Sequence, residues 1–192
     1  MRFLLSVMLG LIFSVSASAA DFMLQSSALQ NNQKIPKMYT CQGKNISPPL
    51  SWKNPPENTK SFVLILSSPD SPIGTTSYDW VLFNIPGDVK GLPENAMDNL
   101  PNGTLVGMTT EGDAIYRGPC PPTERIQHFV FTLYALNIPE LDLIEGANVE
   151  TVIRIMNKYI IGKAELTVTH IYDSKMSKCK LHPKKFVMRG NP

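Results

Sequence analysis

Sixteen prolines fall mostly between short apolar runs, a spacing that favours short strands joined by turns over long helices. Residues 61–67 form a continuous apolar stretch of strand length, which predicts a central buried strand. Residues 78–85 and 130–136 are rich in aromatic and β-branched side chains and predict two more strands. Residues 165–172 alternate polar and apolar, as a strand with one solvated face does.

One helix stands out, because apolar residues recur at helical spacing between about residues 149 and 159. Asn148 is placed as its N-cap, Glu150 lies in its first turn, and Gly162 is placed as its C-terminal stop. Many short strands with one late helix predict a mainly β fold, an antiparallel β-sandwich with one or two peripheral helices.

The first twenty residues have the pattern of a secretory signal peptide. Arg2 precedes an apolar run over residues 3–15, and Ala17-Ser18-Ala19 gives the small-x-small pattern of a cleavage site. The run is short for a membrane span, which needs about 20 apolar residues. An uncleaved N-terminal anchor remains the alternative; cleavage predicts a periplasmic or secreted protein.

We therefore expect a signal peptide over residues 1–20, one domain over residues 21–173 and a basic extension over residues 174–192. The extension either contacts phosphates or a membrane surface peripherally, or is a solvated terminus. The formal net charge of the whole chain is only +2, which argues against nucleic acid as a partner. The extension contains these basic residues and no acidic ones: Lys175, Lys178, Lys180, Lys184, Lys185 and Arg189.

The three cysteines, Cys41, Cys120 and Cys179, lack the spacing of a zinc site, and the sequence suggests no metal or other cofactor. In an oxidising compartment two of three cysteines tend to form a disulfide; three reduced cysteines are the alternative.

The catalytic motifs of hydrolases, metalloproteases and nucleotide-binding proteins are absent from the sequence. The histidines, His128, His170 and His182, lie beside no recognisable nucleophile, and we expect them to be surface or packed residues. A hydrolase using Asp70 and Asp79 as an acid/base pair is a third-ranked alternative, because no nucleophile or metal accompanies them. We expect a protein that is not an enzyme.

Proline-rich loops follow or precede the predicted strands at residues 68–72 and 118–122, and Asp79-Trp80 opens another strand. Rigid loops that present an Asp and aromatic faces suit a small-ligand pocket, since preorganisation lowers the entropy lost on binding. The alternative is that these turns only shape the edges of the sandwich.

Four motifs in order resemble the phosphatidylethanolamine-binding protein family, in its bacterial Raf-kinase-inhibitor-like (YbhB/YbcL) branch. The resemblance extends from about residue 22 to residue 172. Its motifs are Met38 to Trp52 (MYTCQGKNISPPLSW), Pro69 to Pro72 (PDSP), Asp79 to Pro86 (DWVLFNIP), and Tyr116 to Pro122 (YRGPCPP) followed by Phe131 to Leu136 (FTLYAL).

The resemblance implies a β-sandwich with a small pocket that accepts phosphate-like groups, including phosphoethanolamine head groups. It implies a binding or regulatory protein rather than an enzyme. The expected partner is a small polar or phospholipid head-group ligand; a protein-interaction module, such as a protease or kinase inhibitor, is the alternative. The family's pocket positions correspond here to Asp70, Pro72, Asp79, Trp80, Gly118, Pro119, Pro121, Gln127 and Phe129.

Three of these positions depart from the family pattern: Asp79 and Gln127 replace the two pocket histidines, and Phe129 replaces a tyrosine. An ionised Asp only accepts hydrogen bonds, and Asp70 with Asp79 would repel a dianion unless one were protonated. His128 does not restore the site, because alternate residues of a strand face opposite sides. We expect weak phosphate affinity and a better fit for a cationic or zwitterionic group.

The same resemblance places Cys41 and Cys120 around one pocket, while Cys179 lies beyond it. It therefore implies a Cys41–Cys120 disulfide with Cys179 free.

Overall fold

The computed structural model describes residues 20–71, 74–121 and 124–173. Nearly all of the predicted signal peptide, the basic extension, Cys179 and His182 therefore lie outside the described residues. Within the described ranges, no helix is long and apolar enough to cross a membrane. The elements are β1 (Met23–Gln25), β2 (Gln33–Lys34), β3 (Leu50–Lys53), β4 (Ser61–Ser68), β5 (Ser77–Pro86), β6 (Gly91–Leu92), β7 (Leu105–Val106), β8 (Gln127–Leu136), α1 (Val149–Met156) and β9 (Ile160–His170), with short 3-10 helices at Lys37–Tyr39 and Ala96–Asp98.

The strands form two sheets, which confirms the mainly β sandwich architecture. The small sheet has the order β1-β3-β6, and the large one has the order β2-β9-β8-β4-β5-β7. All pairings between the named strands are antiparallel, as predicted, except that the two-residue strand β2 pairs parallel with β9 at one edge of the large sheet. The four strands predicted from the sequence are β4, β5, β8 and β9.

The large sheet is covered on both faces. One face packs on the small sheet, where Phe62, Leu64 and Leu66 of β4 join a core that includes Trp52 of β3. The alternate residues of β4, with others of the large sheet, pack on α1 and the loop before it. A strand buried on both faces must be apolar at consecutive positions, which explains the continuous apolar run over residues 61–67.

The helix begins where the sequence predicts, because the Asn148 side chain accepts a hydrogen bond from the Thr151 amide at 2.8 Å. It ends at Met156, and Gly162 is not its stop: Gly162 lies inside β9. The reason for a glycine there is packing, because a Cβ atom at Gly162 would lie 2.5 Å from the Pro56 ring.

Strand order determines where the loops meet. Strands β5 and β8 both pair antiparallel with β4, so they run in the same direction on either side of it. Their first residues, Ser77 and Gln127, therefore lie at the same end of the sheet as Ser68, the last residue of β4. This end of the sheet brings together the loop after β4 and the polar first residues of β5 and β8.

Candidate functional site

A disulfide joins Cys41 to Cys120 at this end of the sheet, with a Cα–Cα distance of 5.4 Å across 79 residues of sequence. This confirms the pairing implied by the resemblance. The Cys41 amide also donates to the Pro119 carbonyl at 3.4 Å. The bond ties the segment after the first 3-10 helix to the proline-rich loop before β8.

Gly118 lies in this loop and has no room for a side chain. A Cβ atom there would lie 2.2 Å from the Tyr39 carbonyl oxygen. The Gly118 amide donates to Asn45 Oδ1 at 2.8 Å, and the Tyr116 hydroxyl donates to the Tyr39 carbonyl, also at 2.8 Å. These contacts hold the loop tightly against the segment that carries Cys41.

Between these segments lies a cavity of about 430 Å³, within the usual range for a small-molecule pocket. The strands contribute Ser77, Asp79, Gln127 and Phe129 to its wall. The disulfide contributes both of its cysteines. The loops contribute Asn45, Ser71, Thr110, Glu111, Arg117 and Gly118.

Asp79 is the most perturbed group in the cavity. Burial raises its pKa from 3.8 to about 7, and the charge of Glu111 acts in the same direction. The Arg117 guanidinium and the Ser77 hydroxyl act to lower the pKa and only partly compensate. The Oδ2 atom of Asp79 is buried and has no hydrogen-bond partner within the described part of the chain. Near neutral pH the carboxyl group is therefore close to half protonated.

Gln127 is 6% exposed, and its hydrogen bonds determine the orientation of its amide. Gln127 Nε2 donates to Ser68 Oγ at 2.7 Å, and Ser68 Oγ is 3.0 Å from the His128 carbonyl oxygen. Asp70 Oδ1 lies 3.4 Å from the same hydroxyl oxygen. The carbonyl and the carboxylate both only accept, so the single hydroxyl proton of Ser68 is directed to one of them and Ser68 accepts from Gln127. The remaining amide atom, Oε1, is a buried acceptor for which the described ranges supply no hydrogen-bond donor.

Asp70, which the resemblance places in the pocket, lies outside the cavity lining. Its carboxylate accepts from the His128 amide at 3.0 Å and lies 2.8 Å from Nδ1 of the same residue. Burial acts to raise the Asp70 pKa, but the hydrogen bonds and charge of His128 outweigh it and lower the pKa. His128 does face away from Gln127 and Phe129, as strand alternation predicts, and there it holds Asp70 on the outer side.

Of the positions implied by the resemblance, some line the cavity and others, like Asp70, do not. Phe129, Gln127, Asp79 and Gly118 line the cavity. Trp80 is fully buried, contacts Tyr116 edge-on at 5.2 Å and belongs to the core instead of the lining. Pro119 and Pro121 are buried within the loop and do not line the cavity, while Pro72 lies outside the described residues.

Sequence reasoning missed three charged residues that matter here. Glu111 and Arg117 line the cavity, and Arg117 is held by an ion pair with Asp113, whose carboxylate lies 2.9–3.0 Å from Arg117 Nε. Arg117 belongs to the YRGPCPP motif, so the sequence did contain a signal that could have marked it as a site residue. Glu111 and Asp113 lie in a loop that matched no motif, so nothing in the sequence marked them.

His170 is a buried histidine, not a surface one. It is 4% exposed, and neither of its ring nitrogens has a hydrogen-bond partner in the part of the chain that the structure describes. Its pKa is lowered by burial and by the charge of Lys34. His170 pairs with Gln127 across β8 and β9, next to the cavity but outside its lining.

Comparison with known proteins gives a consistent result. The family model for phosphatidylethanolamine-binding proteins matches residues 25–171. A UPF0098 protein of Methanothermobacter thermautotrophicus is 44% identical over 145 residues, which are 74% of this chain and 94% of that protein.

Two crystal structures are also similar to this chain. Escherichia coli YbcL, described as a member of the mammalian PEBP family, has a TM-score of 0.76 and 29% identity, covering 80% of this chain and all of YbcL. A phosphatidylethanolamine-binding protein homologue of Chlamydia trachomatis has a TM-score of 0.73 and 36% identity, covering 81% of this chain and all of its own.

Proposed function

The chain belongs to the phosphatidylethanolamine-binding protein family, and we propose that it is an exported, non-catalytic binding protein for a small polar ligand, with weak affinity for phosphate. The observation that carries the proposal is the cavity of about 430 Å³ beside the Cys41–Cys120 disulfide. Half-buried Asp79 and buried Gln127 are both held by strands of the large sheet, so the site is largely preorganised.

Weak phosphate affinity follows from the charges around the cavity. Asp79 and Glu111 both line it, and each repels an anion when ionised. Arg117 is the one cationic side chain among the described lining residues, and Asp113 already occupies its guanidinium. A phosphate group would have to compete with the Asp113 carboxylate for that guanidinium.

Two observations support export and the absence of turnover. Disulfides persist in oxidising compartments, so the Cys41–Cys120 bond fits a periplasmic or secreted protein. Neither His128 nor His170, the histidines in the described ranges, belongs to the lining, so the described residues form no Ser–His pair in the cavity.

The test is a titration of the mature protein with phosphoethanolamine, followed by NMR or calorimetry, beside an Asp79→His/Gln127→His variant. The unmodified protein should bind weakly but saturably, and the variant more tightly because imidazole can donate to phosphate oxygens. Tight binding by the unmodified protein would contradict the weak anion affinity. Binding by the variant alone would mean that the natural pocket no longer serves a ligand and would favour a protein-interaction module.

A further inference from the structure

The unpartnered polar atoms of the cavity residues are of one chemical kind. Asp79 Oδ2 and Gln127 Oε1 are both buried, neither has a hydrogen-bond partner among the described residues, and both belong to side chains that line the cavity. The Gln127 oxygen is an acceptor because Ser68 holds the amide nitrogen. Leaving a buried acceptor unpaired costs about 1–3 kcal/mol, so a ligand that brings donors to this part of the cavity relieves that cost.

The charged groups around Asp79 favour a cation over a neutral donor. Glu111 adds a second carboxylate to the lining. Arg117 also lines the cavity and its charge lowers the Asp79 pKa. Its Nε is bound by the Asp113 carboxylate, so the carboxylates of Asp79, Glu111 and Asp113 outnumber this one guanidinium. The other titratable group that interacts with Asp79 is Tyr116, whose pKa is raised, so it stays neutral, and whose hydroxyl donates to the Tyr39 carbonyl.

Resting on the proposed function, we propose that this cavity takes the primary ammonium group of a small amine, with the ammonium donating to Asp79 and Gln127. An ammonium group has three donors and no acceptor, which matches a site whose unpartnered buried atoms are acceptors. The carbon atoms of such a ligand lie against Phe129 and the Cys41–Cys120 disulfide, the apolar parts of the lining. The polarity is the reverse of a site built from histidine donors for a phosphate.

The experiment titrates the mature protein with ethanolamine, ethylene glycol, phosphoethanolamine and inorganic phosphate, observing backbone amide signals by NMR. Ethylene glycol has the size of ethanolamine and no charge, so the pair isolates the ammonium. The variants are Asp79→Asn, Gln127→Met and, as a charge-matched control, Asp142→Asn in the exposed loop before α1. Unfolding curves of each variant show that it is folded before binding is compared.

We expect ethanolamine to saturate the site and to shift the signals of residues 79 and 127, while ethylene glycol does not. Asp79→Asn should weaken ethanolamine binding about tenfold or more, because a hydrogen bond to a charged group is replaced by one to a neutral amide. Gln127→Met should weaken it less, and Asp142→Asn should leave it within about twofold, since exposed charges at a distance are screened.

Two results would overturn the inference, and they differ in what they leave standing. Saturation by phosphate or phosphoethanolamine without any by ethanolamine would refute the ammonium site but keep the proposed binding function. Failure of all four compounds, together with phosphoethanolamine binding by the Asp79→His/Gln127→His variant, would refute both the ammonium site and the ligand-binding function.

Discussion

Asp79 should make the protein less stable as the pH rises through neutrality, and Asp79→Asn should remove that loss. In the unfolded chain its carboxyl group ionises near the usual pKa of 3.8, whereas burial raises the folded pKa to about 7. Between those values the folded state holds a proton that the unfolded state has lost. The free energy of unfolding therefore falls by about 1.4 kcal/mol per pH unit over this window.

A shift from 3.8 to about 7 makes the full loss about 4 kcal/mol, an upper limit that is complete above the folded pKa. The assay is urea unfolding of both proteins between about pH 4 and about pH 8. The stability of Asp79→Asn relative to the natural protein should rise by about 2–4 kcal/mol across that range. Because other groups titrate equally in both proteins, the difference isolates residue 79.

Asp70→Asn is the matched control, because the hydrogen bonds and charge of His128 lower the Asp70 pKa despite the opposing effect of burial. Asp70 therefore contributes stability above its unfolded pKa, and this contribution is lost as the pH falls through its folded pKa. Its pH dependence must have the opposite sign to that of Asp79. A difference between Asp79→Asn and the natural protein that stayed constant over the whole pH range would refute the argument that burial perturbs Asp79.

Three further outcomes follow from the structure. Replacing Cys41 and Cys120 together by alanine should cost about 4 kcal/mol, from the entropy of the loop closed across 79 residues, measured as the change in the free energy of unfolding with the urea slope fitted separately for each protein. Gly118→Ala should cost about 1–3 kcal/mol in the same assay, since its Cβ would lie 2.2 Å from the Tyr39 carbonyl oxygen. His170→Leu should become more stable relative to the natural protein as the pH falls below 6.5. The unfolded histidine then gains a proton, whereas the buried one, whose pKa is lowered, stays neutral. A difference in the free energy of unfolding that stayed constant with pH would contradict this.

The sequence predicts the four long strands and the helix, because these elements are specified locally, and it does not predict the five short strands. The apolar run over residues 61–67 is visible without tertiary information, and so is the Asn148 cap. Gly162 misled the interpretation because a glycine after a helix resembles a stop, whereas here it allows close packing against Pro56. That contact joins residues more than a hundred positions apart and has no local signature.

The sequence predicted those residues of the candidate site that the family motifs mark. It was less successful where the direction of a side chain decides whether the residue lines the cavity. Asp79 and Gln127 line the cavity as the resemblance implies, but Asp70 turns to His128 on the outer side. Strand alternation predicts that His128 faces outward but not which acceptor it meets there. The Arg117–Asp113 ion pair depends on the path of a loop that no sequence pattern described.

Asp79 links the stability of the protein to the binding of a cation. Ionisation of the Asp79 carboxyl group lowers the free energy of unfolding by about 4 kcal/mol. A bound cation should oppose this loss, because it stabilises the ionised carboxylate. Amine binding should therefore lower the Asp79 pKa and release a proton when it occurs below about pH 7. Ethanolamine affinity should rise about tenfold between pH 6 and pH 8, as the ionised fraction of Asp79 grows from about one tenth to about nine tenths. In calorimetry at pH 6, the measured heat should vary with the ionisation enthalpy of the buffer; a heat that did not change between buffers would show that the amine binds without Asp79.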